Sequence, residues 1–215
     1  MIVLMLILRT IIYTDKISLQ QYKKERLSMN IIEMDALLKE SLKPSRYIHS
    51  VNTMKVAIQL AEHYGEDKDI AAVAGLLHDC AKDLNDIETL KYCNDNGIEL
   101  NEIEKNQLFL MHGEVGAIIA KEKYGIDDEI ILNAIRYHTT GYTKMNMMDK
   151  IVYLADYIEP GRTHCSVDDV RRLVYEDIDT ALICAFSNVI KFVIMQNGLI
   201  HPYTIEARNR LLLKE

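Results

Sequence analysis

Among the four cysteines, Cys80, Cys93, Cys165 and Cys184, no two stand at the close spacing of a thiolate zinc site, and their scatter outlines no disulfide framework. Free thiols in a reducing cytoplasm are the expected state. With 3 prolines and 9 glycines in 215 residues there is no low-complexity linker and no visible internal repeat, so a second domain is not expected. Positive charge is also scarce. The 25 Lys and Arg against 32 Asp and Glu leave a net charge of −7, which argues against nucleic acid or an anionic membrane surface as partner. A polyanionic ligand would have to be held by cations gathered locally. Residues 1–12 are apolar apart from Arg9 and Thr10, but too short for a membrane span of about 20 residues, and they lack the basic flank and cleavage site of a signal peptide. No stretch keeps the two-residue alternation of a strand for long, so the expected fold class is all-α.

What is present is a succession of helical patterns with short connections. Because Met29 immediately precedes the first well-patterned segment, residues 1–28 are expected to be an extension or an upstream mis-start, and residues 29–215 a single domain. The spacing predicts helices over 31–42, over 44–64 with Pro44 at the start and Gly65 at the stop, and over 69–80. Another runs over 86–96, capped by Asn85 and closed by Gly97. Further helices begin near His112, after Asp127 or Asp128, and at Met147, the last halted by Pro160-Gly161. The segments 168–175 and 179–196 are amphipathic and read as structural. Residues 199–204 read as a turn, with Thr204 capping a terminal helix.

Six ionisable side chains fall on, or at the ends of, the apolar faces of five of these helices: His49, His78, Asp79, His112, His138 and Asp156. A hydrogen-bonded core histidine would account for any one of them. Six in one domain call for a shared cation, since buried charge and buried imidazole both lose hydration. Imidazole and carboxylate without thiolate suit iron, manganese, cobalt, nickel or zinc. Six ligands exceed one tetrahedral zinc, whereas two metals about 3.5 to 4 Å apart would use them all, with Asp79 as the natural bridge.

The order His49, then His78-Asp79, then Asp156 resembles the metal signature of the HD-domain phosphohydrolases, an all-helical superfamily acting on phosphate esters and anhydrides. The surrounding words are more specific: Arg46-Tyr-Ile-His49, Leu77-His-Asp-Cys-Ala-Lys-Asp83, Tyr137-His-Thr-Thr-Gly141, Leu154-Ala-Asp-Tyr-Ile-Glu-Pro-Gly-Arg162 and His201-Pro-Tyr-Thr-Ile-Glu-Ala-Arg-Asn209. Together they resemble the bacterial branch that hydrolyses diadenosine tetraphosphate symmetrically to two ADP. The resemblance covers roughly residues 31–213.

That resemblance implies a helical bundle with the metal site in its core and iron on His49, His78, Asp79 and Asp156, manganese, cobalt or zinc being able to substitute. His112 and His138 complete a second metal site or contact phosphates. Arg162 binds phosphate, Thr139 lies beside the phosphates, and Leu199, Ile200, His201, Pro202, Tyr203 and Thr204 line the nucleotide. At Tyr203 the chain departs from the motif, where a small acidic residue is expected. The implied reaction is attack of a metal-held hydroxide on an inner phosphorus, with Asp79 and Lys82 as catalytic residues and Lys82, Arg162 and Arg46 offsetting phosphate charge. The expected substrate is a dinucleoside polyphosphate, the product ADP, and a homodimer is compatible with the sequence. The alternatives are another nucleotide phosphohydrolase or phosphodiesterase on the same scaffold, or a non-catalytic nucleotide-binding module.

Overall fold

The computed structural model describes residues 29–164 and 166–214; the expected extension, residues 1–28, lies outside them. Eleven α-helices and one 3-10 turn make up the regular structure among the described residues, and no strand is among them. In chain order they are α1 (Ile31–Ser41), α2 (Pro44–Tyr64), α3 (Lys68–Leu77), α4 (Asp86–Asp95), α5 (Glu102–Asn106), the 3-10 turn Leu108–Met111, α6 (His112–Tyr124), α7 (Glu129–Tyr137), α8 (Met147–Ile158), α9 (Val167–Leu173), α10 (Ile178–Met195) and α11 (Pro202–Leu213).

Local chemistry places the helix starts. Asn30, Asn85, Asn101 and Asn146 each open a helix with a reciprocal capping box, the Asn side chain accepting from the third helical N–H while an acid at that position accepts from the Asn backbone. Asp128 caps α7, and Gly65 takes the left-handed conformation, φ 72°, that ends α2. The short helix α5 was not expected, because a five-residue helix carries too little apolar periodicity to show.

Two expectations need correction. The helix predicted over 69–80 stops at Leu77, and His78 to Asp83 form successive tight turns, in which the Cys80 N–H donates to the Leu77 carbonyl and that of Lys82 to the Asp79 carbonyl. The terminal helix is opened by His201, not Thr204. The Nδ1 of His201 accepts from the Tyr203 N–H, Pro202 takes the first helical position where it needs no N–H, and the Thr204 hydroxyl donates instead to the Thr140 carbonyl.

Helices α2, α3, α7 and α8 pack against one another as the central bundle, with α6 laid on α7. Close approach between α6 and α7 depends on Gly113, where a Cβ would run into the Arg136 carbonyl oxygen. Beyond α8 lies α10, joined to it by α9 and covered by α11. The stripe Ile178, Ala181, Leu182, Ala185 and Phe186 is buried, its larger side chains stabilising the fold by about 1.5–3 kcal/mol each. By length and composition α10 is apolar enough to cross a membrane, yet this stripe packs on α8, α9 and α11. Its last turns are different: Phe192, Ile194 and Met195 are exposed.

Asp149, in the first turn of α8, is buried with Oδ1 unpartnered while Oδ2 accepts from the Asn146 N–H. Burial pushes its carboxyl up to about 6 from an unfolded value near 3.8. The folded state therefore binds more protons between those values, and stability falls as pH rises through them. Asp149→Asn, which keeps an oxygen for the Asn146 N–H, is expected to stabilise by up to about 3 kcal/mol at pH 8 and by almost nothing below pH 4. Urea denaturation at both pH values checks this, and a gain independent of pH would mean the carboxylate is not the cause.

Candidate metal centre

Each of four helices ends, begins or turns so as to send a histidine inward. His49 lies one and a half turns into α2, His78 follows α3, His112 starts α6 and His138 follows α7; all are buried. In three of them Nδ1 is held by the carbonyl three residues earlier: His78 on Gly75 at 2.8 Å, His112 on Phe109 at 2.5 Å and His138 on Ile135 at 2.6 Å. His49 Nδ1 is held instead by the buried carboxylate of Glu159 at 3.1 Å. A carbonyl or carboxylate oxygen only accepts, so each ring carries a proton on Nδ1 and, in its neutral form, turns a bare Nε2 to the centre.

Those Nε2 atoms converge in two pairs, His49 with His78 at 3.2 Å and His112 with His138 at 3.0 Å. Lone pairs facing each other at such distances repel unless a cation lies between them. Asp79 spans both pairs with its two oxygens. Oδ1 is 3.2 Å from His112 Nε2 and 3.4 Å from His138 Nε2, while Oδ2 is 3.6 Å from His49 Nε2 and 3.5 Å from His78 Nε2. Asp156, from α8, adds Oδ1 at 2.9 Å from His49 and 3.8 Å from His78. Ligands bonded at about 2.1 Å to a common ion sit about 3.0 to 3.5 Å from one another, and the separations here, 2.9 to 3.8 Å, lie close to that range. The donor set therefore fits a divalent metal site in which the six side chains of the sequence constellation are brought together.

Electrostatics support the same reading. Burial would raise the Asp79 carboxyl, but the charge His78 takes on when no cation is bound, and the close approach of the His112, His138 and His78 imidazoles, outweigh it and hold the group well below the usual carboxylate range. Asp156 is likewise held low: burial opposes, and the close approach of the His49 imidazole together with the charges of His78 and Arg162 prevails. His112 is pushed down to about 4, by burial first and then by the neighbouring His138 and Lys82. It stays neutral, as a ligand must. Burial also opposes charge on His78, yet Asp79 and Asp156 raise it, so proton and cation compete for that nitrogen.

Above the cluster is a cavity of about 220 Å³ whose wall includes Arg46, Lys82, Thr139, Tyr153 and Arg162. Arg46 Nη1 donates to Asp79 Oδ2 at 2.7 Å. Lys82 Nζ lies 3.1 Å from His112 Nε2, and burial lowers its pKa although Asp79 pulls the other way. Thr139 Oγ1 is 2.9 Å from His112 Nε2 and 3.0 Å from His138 Nε2. Gly141, with φ 64° and no room for a Cβ against the Phe186 ring, makes the turn that places this threonine. Arg162 donates from Nη2 to Asp156 Oδ1 and from Nε to the Asp156 carbonyl at 2.9 Å.

The expected nucleotide-lining segment behaves differently. None of the described residues 199–204 lines this cavity. His201 binds Glu104 Oε1 at 3.2 Å and, with Tyr203, borders a separate cavity beside Tyr137 and Thr140, while Leu199 is partly exposed.

Two residues that matter to the site were given no role in the sequence reading. Glu159 orients His49, and its other oxygen accepts from Asn52 Nδ2 at 3.1 Å and the Gly161 N–H at 2.6 Å. Its three-residue spacing from Asp156 was a legible hint; its partner 110 positions away was not. Asp83 accepts from the Lys43 backbone N–H at 2.7 Å and so fixes the start of α2, the helix bearing Arg46 and His49.

A family model described as HD domain matches residues 46–161. The chain is 39% identical over 185 residues to a symmetrical bis(5'-nucleosyl)-tetraphosphatase of Halalkalibacterium halodurans, covering 83% of this chain and 95% of the relative. To the protein of that description from Bacillus subtilis it is 38% identical, covering 86% and 98%. A solved structure from Clostridium acetobutylicum, described as a predicted HD superfamily hydrolase involved in NAD metabolism, superposes with a TM-score of 0.85 at 44% identity, covering 87% of this chain and 100% of the other.

Asp79→Ala removes the oxygens common to both histidine pairs and is expected to abolish stable metal retention, measured as metal per chain after gel filtration. Glu159→Ala leaves every ligand in place but frees the His49 ring, and should weaken metal binding by about 10- to 100-fold. Metal content unchanged in both variants would mean that the cluster is not a metal site.

Proposed function

This chain belongs to the HD-domain family, and we propose that it is a metal-dependent phosphohydrolase that splits diadenosine tetraphosphate symmetrically into two ADP. The observation that carries the reading is the position of three cations, Arg46, Lys82 and Arg162, around a small cavity that opens on the six-ligand cluster, in a protein whose overall charge is negative. Such a cavity favours a phosphate chain and little else.

The proposed first set of ligands is His49, His78, Asp156 and one oxygen of Asp79; the second is His112, His138 and the other oxygen, with Asp79 as bridge. Iron is the proposed metal. When bound, the metal supplies Lewis acidity, polarising a phosphoryl oxygen and making water acidic enough to attack near neutral pH. The chain's own residues do the rest. Lys82 and Arg162 grip the phosphates that flank the reacting one, Arg162 through its planar fork and Lys82 as a point charge. Arg46 holds the bridging carboxylate and adds a third positive charge. Thr139 offers its hydroxyl to a phosphate oxygen or to water at the His112–His138 side. Asp79 and Asp156 stay ionised, so neither delivers a proton to the leaving group. None is needed, because ADP departs as a stable anion. Residues 29–215 act as one domain in this proposal, in the reducing cytoplasm that suits its free thiols.

Metal-loaded protein incubated with diadenosine tetraphosphate should yield ADP alone by anion-exchange chromatography; ATP with AMP would sink the symmetrical reading. NAD belongs in the substrate panel, given the description of the Clostridium relative. Arg162→Ala, with metal content shown intact, should lower kcat/KM by about tenfold to a hundredfold, the worth of one charge-assisted contact, and mainly through KM. Lysine at this position should restore part of the loss. Wild-type kinetics in Arg162→Ala would remove this arginine from the phosphate site.

A further inference from the structure

The three cations in the wall of the cavity over the cluster are already engaged with the side chains beneath them. Arg46 donates to Asp79, Arg162 donates to Asp156, and Lys82 lies 3.1 Å from His112 Nε2. The Thr139 hydroxyl is likewise taken up at the His112–His138 side. One polar group in the wall is different. Tyr153 is 3% exposed, yet among the described residues none exchanges a hydrogen bond with its hydroxyl. A buried hydroxyl left without a partner is costly, so its persistence needs a reason. Ser50 and Thr53 also bury unpartnered hydroxyls, but theirs are sealed inside the bundle. The Tyr153 oxygen is not sealed in this way, and the space its side chain lines is the cavity over the cluster.

The ring is fixed by packing while the hydroxyl is left over. Its centroid lies 4.6 Å from that of the fully buried Phe186, which itself stands against the Gly141 turn. Along α8, Tyr153 precedes Asp156 by three residues and Tyr157 by four, the spacing that brings all three to one face, and all three line the cavity. Asp156, Tyr157, Arg162 and Val189 also border a groove of about 620 Å³ between the end of α8 and the last turns of α10, whereas Tyr153 does not. It belongs to the cluster side alone. Burial first, and then Asp156 and Tyr157, push the phenol up from its usual range, so it stays protonated near neutral pH. A proton donor with no acceptor, in a cavity walled by Arg46, Lys82 and Arg162, is suited to an anionic oxygen brought by a ligand.

We propose that the Tyr153 hydroxyl donates to an oxygen of the phosphate chain held above the cluster, as the neutral member of a phosphate-binding set whose charged members are Lys82 and Arg162. This deepens the phosphohydrolase reading and rests on it for the identity of the ligand. The test compares metal-loaded, full-length wild type with Tyr153→Phe, which keeps the ring on Phe186 and removes one oxygen. Two quantities are measured: the thermal midpoint without ligand and the equilibrium binding of inorganic pyrophosphate, with metal per chain shown equal. Because the hydroxyl satisfies nothing inside the fold, the variant should melt at or above the wild-type midpoint. It should bind pyrophosphate about tenfold more weakly or worse, the usual loss for a hydrogen bond to a charged group. Three results would overturn the proposal: a lowered midpoint, which would make the hydroxyl part of the fold; pyrophosphate affinity untouched in Tyr153→Phe; or no binding of pyrophosphate by the wild type. Failure of the wild type to release ADP from diadenosine tetraphosphate, with pyrophosphate still weakened in the variant, would count against the reaction alone.

Discussion

The carboxylate of Asp79 is the constraint on which the rest of this structure depends. One oxygen faces His112 and His138, the other His49, His78 and Arg46, so a single buried side chain ties together α2, the turns after α3 and α7, and the start of α6. An anion in that position would be costly if left alone. Here Arg46 and the charge of His78 compensate it, and its acidity is strengthened where burial by itself would weaken it. α3 stops at Leu77, and the tight i to i+3 turns that follow carry His78 and Asp79, whose side chains both reach the same centre.

Around the anion the anchoring is of two kinds. Three histidines are steadied by carbonyls of their own turn, which leaves their aim to the helix termini on which they sit. His49, in mid-helix, has all its nearby carbonyls engaged in the helix ladder, and it borrows Glu159 from the end of α8. The same glutamate accepts from the Gly161 N–H, and Arg162, next along that turn, donates to Asp156. Asp156 of the cluster, the glutamate that supports His49 and the cation Arg162 thus share one short turn.

Charge is distributed to match. The molecule is negative overall, with a cluster of cations at one cavity, which would focus a polyanion there while discouraging indiscriminate contact with nucleic acid. Beyond that cavity the lining changes from cationic to aromatic along a continuous wall, from Arg162 to Tyr157 and Phe192. The separate cavity at His201 is acidic, and Tyr203, where the motif resemblance calls for a small acidic residue, lies there and not over the cluster.

The sequence by itself determined the helical class, most helix boundaries and the six converging ionisable residues. These rest on local physics: Asn caps, a proline at a helix start, left-handed glycines and apolar steps of three and four. Local physics also misplaced two ends. His78 to Cys80, expected in the helix over 69–80, form tight turns, and Thr204 gives its hydroxyl to Thr140 across 64 positions in place of capping. Only the tertiary structure decided which oxygen of Asp79 faces which histidines, that Glu159 supports His49, that Asp83 holds the start of α2, and that α10 outruns the core to wall a groove. Each of these joins groups tens of residues apart or depends on where one helix ends relative to another. A periodicity records which face of a helix is apolar; it carries no information about what stands opposite, because that is set by the packing of whole helices.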